Sequence, residues 1–248
     1  MSQRKNIALV CAGKYHDIDY ARLELLKLLA EHPDARVTVH DNYALGDVLD
    51  DCACLISYTC DVVAGADDCE RLRRWLAAGG RWFALHGTNS VIEFVNTRPL
   101  EIATPDTAPE FMQLLGSQFQ AHPPICSYTV NIADRDHPLT AGLEDFQTTD
   151  EMYLCKMTGD YHLLLSCDYT DPVPEFTSTD WQHNAVQPVM YLQDHADGNL
   201  LYLTLGHCRG HYDMQPLTDY YPNVERCSWE VPEYHELLRR GLKWALRK

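Results

Sequence analysis

The run Gly79-Gly80-Arg81-Trp82-Phe83-Ala84-Leu85-His86-Gly87-Thr88-Asn89-Ser90 limits the possible folds of this chain more than any other stretch. A glycine pair stops a helix, and an apolar segment the length of a buried strand follows. A histidine then stands where the chain must turn sharply, with Gly87 behind it, and Thr88, Asn89 or Ser90 can cap a following helix. This is the outline of a nucleophile elbow whose apex is an imidazole. In α/β proteins such an apex lies at the carboxyl edge of the sheet, where ligands bind close to the positive end of a helix. A neutral imidazole there can bind a metal or accept a proton, and the plainer alternative is a histidine bonded only to a nearby carbonyl.

The flanking sequence repeats this design. Residues 6–12 form a compact apolar run, a helix with leucines at 23, 25, 26, 28 and 29 is expected over 20–31 with Asp19 as its cap, and 36–40 alternates as a second strand. A third strand is expected over 53–59, and Asp67 with Glu70 has the form of a capping box for the helix that ends at Gly79-Gly80. This order predicts right-handed crossovers and an α/β, doubly wound, mostly parallel sheet with helices on both faces. Residues 93–109, rich in Pro, Thr and Asp, read as an excursion over the active face, followed by a short helix near 109–115. Strands are expected over 127–133, 163–167 and 189–192, and a turn at Asp197-Gly198 leads into the last long apolar run, 199–205. Pro232 opens a terminal helix whose Arg239, Arg240, Lys243, Arg247 and Lys248 favour its carboxyl end.

With 248 residues and 46% hydrophobic residues, the chain is expected to form one domain over 1–248. Its formal charge of −16 argues against nucleic acid or an anionic membrane surface as a partner and favours a small molecule. Homo-oligomerisation is left open. The ten cysteines form no CxxC pair and lie mostly in apolar runs, the pattern of reduced thiols in a cytoplasmic protein. Arg4-Lys5 ahead of the first apolar run imitates a signal peptide, but the run is short and ends in Lys14-Tyr15-His16-Asp17, so a first strand is expected.

Four histidines share one rule of placement: His16 leaves the first strand, His86 the fourth, His122 lies in the loop after the excursion ahead of a proline pair, and His207 leaves the last long strand. Parallel strands share a carboxyl edge, so these exits can converge on one crevice, and imidazoles gathered there with a carboxylate suit a divalent ion such as Zn, Mn, Fe or Ni. His16, His86, His122 and His207 are the candidate metal ligands. Glu151, with Asp150 as the alternative, is the candidate proton-transfer group, although paired acids of this kind more often cap a helix or edge a sheet. Tyr58, Tyr153, Trp181 and Tyr212 are aromatic candidates to stack on a bound small molecule.

A series of motifs then resembles one family in order. It comprises Tyr15-His16-Asp17, Gly79-Gly80 to Leu85-His86-Gly87, Leu115-Gly116 to His122-Pro123, Asp136-His137-Pro138, Asp150-Glu151-Met152-Tyr153, Gln187-Pro188-Val189-Met190-Tyr191 and Leu205-Gly206-His207. Together these resemble the ThuA-like, trehalose-utilisation family. The resemblance implies a flavodoxin-like fold similar to that of class I glutamine amidotransferases, and a role in carbohydrate catabolism associated with keto-type disaccharides. It also implies that His16, His86, His122, Glu151 and His207 occupy the family's polar positions, with Glu151, His86 and His207 in catalysis and Tyr15, Asp17, Asn89, Tyr153 and Trp181 near substrate. Amidotransferases carry a cysteine at the elbow and a late His followed two residues on by Glu. Here the elbow holds His86, and His207 is followed by Cys208 and Arg209, so thiol-based glutamine hydrolysis is not expected. The expected reaction is metal-assisted hydrolysis or elimination on a glycoside, and the alternative is a non-catalytic sugar-binding module.

Overall fold

The computed structural model describes residues 4–247, so Lys248 lies outside the described residues. The chain runs through β1 (Lys5–Gly13), α1 (Ile18–Ala30), β2 (Ala35–His40), the single turn α2 (Asp47–Asp50), β3 (Cys54–Cys60), α3 (Ala66–Ala77) and β4 (Arg81–Leu85). The excursion follows as a hairpin of β5 (Glu93–Thr97) and β6 (Leu100–Ala103), then α4 (Pro109–Leu115). Next come β7 (Ser117–Ala121), β8 (Cys126–Ile132), β9 (Phe146–Asp150), β10 (Leu154–Met157), β11 (His162–Asp168), β12 (Val186–His195), β13 (Gly198–Leu203) and α5 (Pro232–Ala245).

The central sheet has the order β2-β1-β3-β4-β13-β12-β11-β8-β9. From β2 to β13 each neighbouring pair is parallel, and every pair beyond β13 is antiparallel. Strands β1 to β4, β13, β11 and β9 therefore point one way, and only β12 and β8 oppose them. Alternation along the buried strands feeds two layers. Ile7, Leu9 and Cys11 pack with Leu25, Leu29, Leu238 and Leu242 of α1 and α5, whereas Ala8 and Val10 pack with Leu72, Leu76, Phe111 and Leu115 of α3 and α4. Helices on both faces of a predominantly parallel sheet make this a flavodoxin-like, doubly wound α/β fold.

Three local expectations are corrected. Asp17, not Asp19, caps α1, accepting the Tyr20 N–H at 3.1 Å, because Asp19 lies inside the first turn and pairs with Arg22. Helix α3 begins after Gly65 without a side-chain cap, and Glu70 pairs with Arg73 instead of closing a capping box. No α-helix follows the elbow, since His86–Asn89 forms one 3-10 turn. The Tyr202 hydroxyl donates to the His86 carbonyl and accepts the Asn89 N–H, while the Thr88 hydroxyl donates to Leu85, so side chains take the groups that a helix would use.

Candidate metal centre and cavity

Each strand that brings a histidine of the group to the site leaves the sheet through a residue in the left-handed region of backbone space. His86 has φ +44°, Tyr15 ahead of His16 has φ +66°, and Gly206 ahead of His207 has φ +118°. Such conformations cost a non-glycine residue roughly 1–3 kcal/mol, and they turn the following side chains over the sheet edge. Gly206 is required as well by space, because a Cβ there would overlap the Tyr234 hydroxyl. The carboxylate arrives by a different route. Strand β9 runs with the parallel strands, so its carboxyl end brings Asp150 and Glu151 to the same edge.

His16, His86, Glu151 and His207 are buried together, and one potential ligand atom from each lies within 4.8 Å of the others. Glu151 Oε2 is 3.6 Å from His86 Nε2 and 3.8 Å from His16 Nε2, and its Oε1 is 3.2 Å from His207 Nδ1. The tautomers follow from the outer partners. His16 Nδ1 donates to the Lys14 carbonyl at 3.0 Å and His86 Nδ1 to the Thr204 carbonyl at 2.8 Å, since a carbonyl can only accept. In the neutral rings both Nε2 atoms then carry lone pairs, yet they face each other at 2.8 Å. His207 Nε2 is held by Glu225 at 2.9 Å, and its buried Nδ1 makes no hydrogen bond. Convergent lone pairs, a carboxylate and a carboxylate-anchored histidine are groups that could hold a divalent cation. Bonds of roughly 2.0–2.2 Å from one ion could span this group after small side-chain rotations.

Burial, reinforced by the other imidazoles and opposed by Glu151, draws His16 down to about 3 and leaves it a neutral donor. Burial alone would raise the Glu151 carboxyl, but the surrounding His207, His122 and His16 override it and hold it well below the usual carboxylate range. For His207 burial acts downward, and the carboxylates of Glu151 and Glu225 push the net shift upward. Arg209 bridges the two acids, with Nη2 3.2 Å from Glu151 and Nη1 2.9 Å from Glu225, while its Nε donates to the Tyr15 carbonyl.

The sequence-predicted residues divide in an instructive way. Glu151 stands inside the compact group, and His122 stands outside it. The Nε2 of His122 is 3.7 Å from Glu151 Oε1, and its Nδ1 donates to the Pro123 carbonyl. The reason is topological, since His122 follows β7, which pairs with β10 in a separate two-stranded sheet. Asp150 accepts the N–H groups of Gly206, His207 and Ser228 at 2.9, 3.1 and 3.3 Å, a structural use of its carboxylate. Tyr15 and Tyr153 line the cavity beside the group, and the Tyr153 hydroxyl is 3.4 Å from His86 Nε2. Asp17, Asn89 and Trp181 do not line it: Asp17 caps α1 and pairs with Arg226, Asn89 bonds Ser117, and Trp181 is buried with its indole on Ser178. Tyr58 lies buried beneath His86, and Tyr212 projects into solvent. Cys60 and Cys208 are buried and outside the cavity lining, and burial pushes Cys208 up to about 12 and Cys60 well above the usual thiol range.

Glu225 and Tyr221 were not singled out from sequence. Glu225 reaches His207 and Arg209 through an isolated bridge between Arg209 and Glu225, a pairing with no local signature. Arg209 did have a signal, because two residues after His207 on extended chain it falls on the same side.

The cavity above the group holds about 420 Å³, within the range of small-molecule sites. His16, His122, Glu151, Tyr153, Arg209 and Glu225 form its floor, and its walls come from the β5–β6 hairpin, the loop after His122, Phe176 and the segment 214–221. No described helix is long and apolar enough to cross a membrane.

The sequence pattern of the ThuA family, described as trehalose utilisation, matches residues 7–222. No curated protein matches the chain. Among solved structures, it is similar to a ThuA-like protein from Parabacteroides merdae at 14% identity and TM-score 0.70, over 99% of this chain and 90% of that one. A ThuA-like protein from Bacteroides uniformis gives 16% identity and TM-score 0.66, over 100% and 93% of the two chains. A beta-galactosidase from Rahnella sp. R3 shares the fold at 12% identity and TM-score 0.53, and there the match takes in 99% of this chain but 32% of the galactosidase. At these identities the likenesses speak for the fold, and the family follows from the sequence match: the chain belongs to the ThuA, trehalose-utilisation, family.

Proposed function

We propose that this chain is an enzyme of carbohydrate breakdown that holds one divalent cation on His16, His86, His207 and Glu151 and cleaves a glycosidic bond by hydrolysis or elimination. A carbohydrate-related role follows from the family, and the metal and the bond cleavage are the proposal. One observation carries it: two imidazoles, each holding its Nδ1–H on a backbone carbonyl, turn their Nε2 atoms to each other at 2.8 Å, an arrangement that calls for a cation or a proton between them. Zn, Mn, Fe and Ni all suit a nitrogen-rich set with one carboxylate. When bound, such an ion supplies Lewis acidity toward a sugar carbonyl or hydroxyl oxygen.

The protein's own groups take the remaining roles. Glu151 supplies the anionic ligand, kept charged by the imidazoles around it. His122, on the cavity floor with Nδ1 committed to Pro123, offers its Nε2 lone pair to the proton that the reaction releases. Tyr153 orients a substrate oxygen beside His86, and Glu225 fixes the ring of His207.

The test is turnover of a panel of disaccharides and glycosides, each native and oxidised to the keto form, followed by mass spectrometry. Turnover that chelation abolishes and metal restores, and that Glu151→Gln and His122→Asn each lower by about a hundredfold or more, is the expected result. Turnover indifferent to chelation would contradict the proposal.

A further inference from the structure

The cavity is two-natured, and the division says what its ligand looks like. Among the polar lining groups, Glu151, Arg209, Tyr221 and Glu225 already bond one another. Arg209 spends Nε, Nη1 and Nη2 on Tyr15, Glu225 and Glu151, and the Tyr221 hydroxyl donates to Glu225 at 2.9 Å. Above them the walls are apolar. Ile92, Phe94 and Leu100 come from the hairpin and the turn before it, Ile125 from the loop after His122, and Met214 and Leu217 from the segment facing them. These side chains are not core residues: Leu100 is 41% exposed, and the other five are half-buried.

A second sugar ring resting against these six side chains would lose water from its hydroxyls and find no donor or acceptor on them in exchange, a net cost. An apolar group of similar size would cover hydrocarbon that now faces water. We propose, resting on the glycoside reading above, that the substrate is a glycoside with an apolar aglycone, aryl or alkyl, its sugar on the polar floor and its aglycone between the hairpin and the 214–217 segment. A fully polar disaccharide is then the poorer ligand.

Calorimetric titration of the purified full chain with both anomers of 4-nitrophenyl glucoside, with trehalose and with 4-nitrophenol tests this. One anomer of the aryl glucoside should bind about tenfold or more tighter than both trehalose and the free phenol. Leu217→Ser and Leu100→Ser, both at the cavity mouth, should shrink that advantage severalfold while metal content and thermal unfolding stay unchanged. If trehalose binds as tightly as the aryl glucoside, the apolar-aglycone proposal falls and the glycoside reading survives. Should the free phenol bind as tightly as its glucoside, the glycoside reading falls and takes the proposal with it. Failure of both anomers to bind, or an unchanged preference in both variants, also overturns the proposal.

Discussion

Two adjacent carboxylates of one chain segment have divided their labour by environment. Asp150 points back into the fold and satisfies backbone N–H groups of two other segments, while Glu151 points outward among imidazoles. Asp150→Ala would leave those buried donors unpaired, so chemical denaturation should report a loss of about 3 kcal/mol or more. A loss under about 1 kcal/mol would show that the donors find other partners. Cysteine chemistry is checked at the same scale. With Cys208 pushed up to about 12 and Cys60 held well above the usual thiol range by burial, the thiolate of each is scarce near neutral pH and grows only as pH rises. Iodoacetamide at pH 8 should therefore leave both residues unmodified in folded protein and label them after denaturation, as read by peptide mapping. Rapid labelling of either in the folded state would reopen a thiol mechanism. From sequence, the placement of Glu151 inside the compact group and of His122 beside it was not legible, because residue type does not tell which sheet carries each one.

At the scale of elements, the site is made by strand ends. The apolar runs that became β1, β3, β4 and β13 were legible because they are buried on both faces, and with them the exits carrying His16, His86 and His207. Strand β9 was not legible. Its inward residues are Phe146, Thr148 and Asp150, and only the first is apolar, so alternation of hydrophobicity vanishes although alternation of burial remains. The same holds for β7, wholly buried yet reading Ser-Gln-Phe-Gln-Ala. The hairpin in the excursion was masked by its polar composition. Because Gly206 sets the exit of β13, Gly206→Ala should cost about 3 kcal/mol or more and displace His207. The expected outcome is a lowered denaturation midpoint together with weakened metal retention, and an unchanged midpoint would show that the exit tolerates a side chain.

Over the whole molecule, direction explains convergence. Because β9 and β13 point the same way as β1 and β4, groups separated by most of the chain arrive at one edge. Fold and crossover order were legible because they follow from the alternation of strands and helices. The antiparallel extension from β12 to β9 was not, since nothing local in those strands announces their order. The most direct test of the centre is elemental analysis of protein purified without a histidine tag and dialysed against Zn, Mn, Fe or Ni salts, beside His86→Ala and Glu151→Gln. One tightly held divalent ion per chain in the parent, lost from both variants while their folds persist, is the predicted result; a parent that retains no stoichiometric metal, or variants that retain it fully, would contradict the account.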